Sequence, residues 1–227
     1  MQANSVVLGI AAAAALGVAA LPGSALAAAC TTAPLSTYLA GGANATCTVL
    51  DKTFSNFTYT GTNGNAPPAS SIEVTPLTAS LTSPGPGLQF NGNFSVAAGK
   101  TTDIALDFDV TAGAGFKITG ASVTLVGTTT GGGAAGSFSD SELIASGMAE
   151  IASLNTSNIN KVASTTFAGV TGATVDEDIL LIGYENLSTI IKHFAENSTP
   201  TPEPASLGLL GVGLGALGLI RRRKRRS

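Results

Sequence analysis

The chain is predicted to be all-β: a β-sandwich or jelly-roll-like ectodomain, flanked by an N-terminal signal peptide and a short C-terminal transmembrane helix. Three observations predict this. In the centre, apolar and polar residues alternate over short segments, the mark of half-buried strands. Gly- and Pro-rich turns punctuate those segments closely, as in sandwiches and jelly rolls. Both ends differ in composition from the centre, so the 227 residues divide into 1–27, 28–198 and 199–227.

Residues 6–21 are an unbroken run of Val, Leu, Ile, Ala and Gly, followed by Pro22-Gly23-Ser24 and then Ala25-Leu26-Ala27. An apolar run, a helix breaker and small residues before a cleavage point make a secretory signal peptide. Residues 1–5 contain no Lys or Arg, so only the α-amino group supplies the usual positive charge there.

Cys30 and Cys47 are the only cysteines. An even count in an exported chain predicts a disulfide, contributing about 3 kcal/mol through loop entropy. The rival reading is a lipid on Cys30, but Ala27 stands where a lipobox normally has Leu.

The clearest strand is 102–112. Ile104, Leu106, Phe108 and Val110 point one way, while Asp103, Ala105, Asp107 and Asp109 point the other. Further strands are expected at 54–59, 72–77, 88–96, 116–118, 123–126 and 178–182, with 162–170 and 187–194 closing the fold. Turns are expected at Asn63-Gly64, Pro67-Pro68, 84–87, Asn91-Gly92 and 131–133. Residues 141–152 are expected to form a short helix, because Leu143, Ile144, Met148 and Ile151 recur at helical spacing; Gly147 weakens it.

Charge excludes one class of partner. Six of the 11 basic residues lie at 221–226. The centre keeps Lys52, Lys100, Lys117, Lys161 and Lys192 against 13 acidic residues, a net charge near −8. Without a cationic surface, nucleic acid is not expected as a partner.

No catalytic set is expected. His193 is the only histidine, and the cysteines are paired in the favoured reading, so Ser-His-Asp and Cys-His triads lack parts. Asp103, Asp107 and Asp109 form one acidic group and Asp176-Glu177-Asp178 a second. Either could be a calcium site or solubilising charge, but no ligand-spaced loop is present, so no metal and no cofactor is assigned. Tyr38, Tyr59 and Tyr184 form no evident sugar-binding platform. The Asn-x-Ser/Thr tripeptides at Asn44, Asn56, Asn93, Asn155, Asn186 and Asn197 follow from composition.

The tail carries the most specific pattern. Pro202-Glu203-Pro204-Ala205-Ser206 is followed by an uncharged apolar stretch containing Leu207, Leu209, Leu210, Gly211, Gly215 and Ile220, then by Arg221, Arg222, Arg223, Lys224, Arg225 and Arg226. The prolines keep the motif extended and accessible. The stretch is shorter than the ~20 residues that span a bilayer comfortably, and arginine snorkelling can lengthen it. Basic residues stay cytoplasmic, which turns Pro202-Glu203-Pro204 outward. Gly211 and Gly215 form a small-xxx-small packing face.

This arrangement resembles the PEP-CTERM sorting signal of Gram-negative bacteria. The resemblance implies an exosortase, a membrane-embedded cysteine protease acting at the Pro-Glu-Pro region, as a partner. It also implies an inner-membrane precursor that ends at the cell surface or in the extracellular matrix, and an association with exopolysaccharide and biofilm. Residues 47–57 look like the opening of several PEP-CTERM ectodomains, including the cistern group. The expected function is therefore a structural or interaction protein of the surface or matrix. A carbohydrate- or calcium-binding module is the alternative, and an enzyme is not expected.

Overall fold

The computed structural model describes residues 27–62, 66–78, 85–129, 137–183 and 185–198. The expected signal peptide, apart from Ala27, and the whole expected tail lie outside them. Among the described residues there are thirteen strands and two short 3₁₀ turns, Leu35–Thr37 and Ala69–Ser71.

The strands are β1 (Ala28–Ala29), β2 (Ala33–Pro34), β3 (Thr46–Val49), β4 (Lys52–Gly61), β5 (Glu73–Leu77), β6 (Gly87–Val96) and β7 (Thr101–Ala112). They continue with β8 (Phe116–Thr129), β9 (Ser137–Ser146), β10 (Ala149–Ser157), β11 (Val162–Val170), β12 (Gly172–Ile182) and β13 (Glu185–Ser198). One sheet has seven strands in the order β1-β3-β4-β7-β12-β9-β10. The other has six, in the order β11-β8-β13-β6-β5-β2. All named pairings are antiparallel except β1 with β3. The all-β expectation holds, as does the two-sheet architecture.

The sheets meet through aromatic rings. Phe108 on β7 lies 6.0 Å from Phe54 and 5.6 Å from Phe57 in its own sheet. It lies 6.2 Å from Phe90 and 6.1 Å from Phe194 in the other. All five are buried. They reach this position by simple alternation: β7 buries Thr102, Ile104, Leu106, Phe108 and Val110 and turns its aspartates outward. The N-terminal residues close one end. Cys30 is joined to Cys47, and buried Tyr38 donates to the Thr31 carbonyl at 2.5 Å and packs edge-on against Phe57.

Two local expectations are corrected. Residues 141–152 are not helical; they belong to the β9–β10 hairpin, which turns at Gly147. Its φ of 66° is a conformation that glycine adopts without steric cost. Met148, assigned to a helix face by its spacing, is fully exposed at that turn. Asn91-Gly92 is not a chain reversal but lies within β6, where the register against β13 shifts by one residue. A Cβ on Gly92 would sit 2.7 Å from the Phe94 ring, so the bare backbone makes room for that ring. The expected strands 116–118 and 123–126 are two ends of the single strand β8.

Candidate functional site

Each sorting-tail residue named above, Pro202 to Ser206, Leu207 to Ile220 and Arg221 to Arg226, lies outside the described residues. Among the described residues no helix is long and apolar enough to cross a membrane. The last described strand, β13, ends at Ser198, immediately before the tail.

The structure divides the two acidic groups by strand parity. Asp103, Asp107 and Asp109 face outward on β7, and Asp176 and Asp178 join them on neighbouring β12, with Asp176 directly opposite Asp107. Glu177 points the other way and is buried. The sequence group Asp176-Glu177-Asp178 is therefore not one site. The outer ridge is self-repelling. Partial burial, then the charges of Asp107 and Asp109, raise the Asp176 carboxyl above the ordinary aspartate value. Asp178 is raised first by its hydrogen bond with Asp103, then by burial and by the charges of Asp103 and Asp140.

Neighbouring side chains already occupy the ridge. Asn56 and Thr174 donate to the two oxygens of Asp109 at 2.6 and 2.7 Å, and Thr58 donates to Asp107 at 2.8 Å. Asn56 reaches Asp109 from a β-bulge, in a left-handed conformation (φ 56°) that asparagine tolerates. Among the described residues no group of three His, Cys, Asp or Glu has a metal-holding arrangement. A depression of about 230 Å³ lies at one end of the ridge, bordered by Asp109, Thr111, Gly147 and Thr174. It is smaller than the pockets that enclose drug-sized ligands.

Tyr38 is buried, Tyr59 is half-buried with its hydroxyl on the Pro67 carbonyl at 2.7 Å, and Tyr184 lies outside the described residues. His193 is half-buried on β13. Its Nδ1 lies 2.8 Å from the Gly85 carbonyl, so that nitrogen carries the proton and donates.

Sequence reasoning missed the buried charges. Lys52 and Lys192 are fully buried, an environment lysine occupies only when paired. Lys52 pairs with Asp51 at 2.6 Å and with Glu196 of the opposite sheet. Lys192 on β13 reaches across to Glu142 on β9 (2.6 Å), Glu177 on β12 (2.7 Å) and, further off, Asp140 on β9 (3.9 Å). Thr156 donates to Asp140 at 3.1 Å. A signal was present in the sequence. Lys192 shares parity with Ile190 and Phe194, Glu177 with Val175 and Ile179, and Asp140 and Glu142 with Phe138 and Ile144.

Comparison with known proteins finds one family match. Residues 200–226 match the PEP-CTERM protein-sorting motif. No curated protein matches the chain. Among solved structures, that of TmCBM61 in complex with β-1,4-galactotriose aligns at 11% identity with a TM-score of 0.33. The alignment covers 63% of this chain and 88% of that one.

Proposed function

We propose that this chain is an exported cell-surface or biofilm-matrix protein. It is delivered as a membrane-anchored precursor and sorted through its tail, with a structural or interaction role for the β-domain. The observation that carries the reading is the sorting motif at residues 200–226. In this reading an exosortase acts at Pro202-Glu203-Pro204, while Leu207 to Ile220 holds the precursor in the inner membrane. Residues 221–226 stay on the cytoplasmic side. The Cys30–Cys47 disulfide supports an oxidising, extracytoplasmic destination.

Extracellular polysaccharide is the partner class consistent with the sorting signal. No enzymatic activity is part of the reading. The only histidine holds a backbone carbonyl, both cysteines are oxidised, and the buried carboxylates face a lysine inside the core. Deleting residues 202–204 tests the proposal in the native cell. The altered chain should accumulate uncut in the inner membrane, and unchanged maturation and surface delivery would overturn the reading.

The alternative reading is a calcium-binding role, for which the outer ridge of five aspartates supplies clustered charge but, among the described residues, no metal-holding group of three. Calcium raising the melting temperature beyond sodium chloride of equal ionic strength would support it, and an equal response would remove it. Among the described residues no aromatic ring is exposed, so nothing comparable favours a carbohydrate platform.

A further inference from the structure

Charge inside the sandwich does not balance. One ammonium, that of Lys192, faces three carboxyl groups, those of Asp140, Glu142 and Glu177, and all four side chains are shielded from solvent. Three ionised carboxylates would leave excess negative charge in an apolar core, which is strongly unfavourable. At least one of them must therefore keep a proton, and Glu177 is the group whose surroundings favour it most. Burial first, then the charges of Asp140 and Glu142, raise it well above the carboxylate range against the pull of Lys192. Glu177 lies directly opposite Glu142 on the adjacent strand, which sets the proton-bearing carboxyl beside the ion pair. Burial works to lower the Lys192 pKa, but Glu142, Glu177 and Asp140 outweigh it and raise the value, so the resting state is an ion pair.

That ion pair leaves buried oxygens unmet. Asp140 Oδ1, Glu142 Oε1 and Glu177 Oε2 accept no hydrogen bond, although buried carboxyl oxygens ordinarily do. Lys192 Nζ donates to Glu142 Oε2 at 2.6 Å, which holds the nitrogen against the carboxyl group whose carbon it would attack. A neutral amine, a carboxylic acid and a third group able to carry protons are the parts needed to make an amide.

We propose that Lys192 and Glu142 become joined by an intramolecular amide bond made by the folded domain itself, with Glu177 as proton carrier. A proton passes from the Lys192 ammonium to the Glu142 carboxylate, giving the uncharged pair. Nζ attacks the Glu142 carboxyl carbon while Glu177 donates its proton to the carbonyl oxygen. From the tetrahedral intermediate Glu177 takes a proton from nitrogen and delivers one to the departing hydroxyl, and as water leaves it takes back the proton it gave to the carbonyl oxygen. One C–N bond forms, one C–O bond breaks and one water leaves; no oxidant or reductant is needed, and Glu177 ends as it began. The reaction is a single slow turnover, because it passes through the minor uncharged pair. The product ties β13 to β9, one strand from each sheet, so the sandwich cannot be pulled apart without breaking a covalent bond. The bond would form whether or not the tail is processed. Lys52 also faces two carboxyls, adjacent Asp51 and Glu196 of the opposite sheet, so the linked residues must be mapped rather than inferred from mass alone.

The test is the intact mass of the folded full chain with its termini mapped. The expected mass is lower by one water than the termini and the disulfide require. Reduced, proteolysed protein should yield a branched peptide joining Glu142 to Lys192. Lys192→Arg, which keeps the charge, should restore the full mass, and Glu177→Gln should fold but retain its water. Folded wild-type protein still at full mass after prolonged incubation would overturn the proposal. So would a water loss that maps elsewhere. A folded Glu177→Gln protein that loses water at the wild-type rate would remove Glu177 from the chemistry.

Discussion

Leu50 holds a left-handed backbone (φ 55°) between β3 and β4, with 55% of its surface exposed. Non-glycine residues pay about 1–2 kcal/mol for that conformation, and exposure means no packing offsets it. Leu50→Gly should therefore raise stability by about 0.5–1 kcal/mol, after glycine's greater freedom in the unfolded chain is subtracted. Equilibrium urea unfolding would measure the change, and a loss of stability would mean the Leu50 side chain makes a contact that matters. The opposite case is Phe108, which touches four rings from both sheets. Phe108→Ala should cost about 3–5 kcal/mol by lost burial and the cavity left behind. The same denaturation series would check this, and a cost below ~1 kcal/mol would show that the sheets close over the gap.

At the level of elements, β7 and β12 set a pH dependence. Asp176 and Asp178 are raised in the folded state, and buried Glu177 is raised in the same direction. A carboxyl with a raised folded value binds its proton more tightly when folded. Its contribution is therefore fully present in acid and is lost as pH climbs from the ordinary carboxylate value through the raised one. Asp51 works the other way. Burial would raise it, but hydrogen bonds from Glu196 and Lys52 outweigh burial and lower it, so its contribution is lost as pH falls through the lowered value. Glu196 is raised too, by burial first and then by its hydrogen bond with Asp51, so four groups oppose one and the melting temperature should fall between about pH 4 and neutrality. Salt should oppose the ridge's share of that fall, since exposed charges are screened. Asp176→Asn should recover ~0.2–1 kcal/mol at neutral pH, the scale of one cross-strand pair, and less in acid. A melting temperature that rises steadily to neutrality would refute this account.

The same elements indicate what could be read in advance. β7 was legible because its inward residues are all apolar or small and its outward ones charged. β9 was not, because its inward positions alternate Phe138, Asp140, Glu142 and Ile144, so the period of two is hidden beneath acids. The residue that makes those acids tolerable, Lys192, comes from the opposite sheet, and no local window contains it. The apparent helical spacing of Leu143, Ile144, Met148 and Ile151 arose by coincidence around the turn at Gly147. The disulfide was legible because composition and compartment sufficed. Replacing Cys30 and Cys47 together by Ser should cost about 3 kcal/mol, read by chemical denaturation.

For the whole molecule, fold and address occupy separate stretches of chain. β13 pairs with β6 and β8 and supplies Ile190, Lys192 and Phe194 to the core, yet it ends at Ser198, and the sorting motif begins at residue 200. No described strand needs a residue beyond Ser198 to complete its pairing. A chain ending at Ser198 should therefore keep the melting temperature of the full-length protein to within about 1 kcal/mol of stability, the range of changes that leave the core untouched. It should also be exported without passing through a membrane-held precursor. Truncating four residues earlier, before Ala195, should behave differently. It removes Glu196, the cross-sheet partner of fully buried Lys52, and a buried lysine stripped of one carboxylate is costly by ~3–5 kcal/mol. Thermal melts of the two truncations, with cell fractionation of each, separate the claims. If the Ser198 truncation is unstable, the tail takes part in the fold. If it remains anchored in the inner membrane, the segment after Ser198 is not what holds the precursor there.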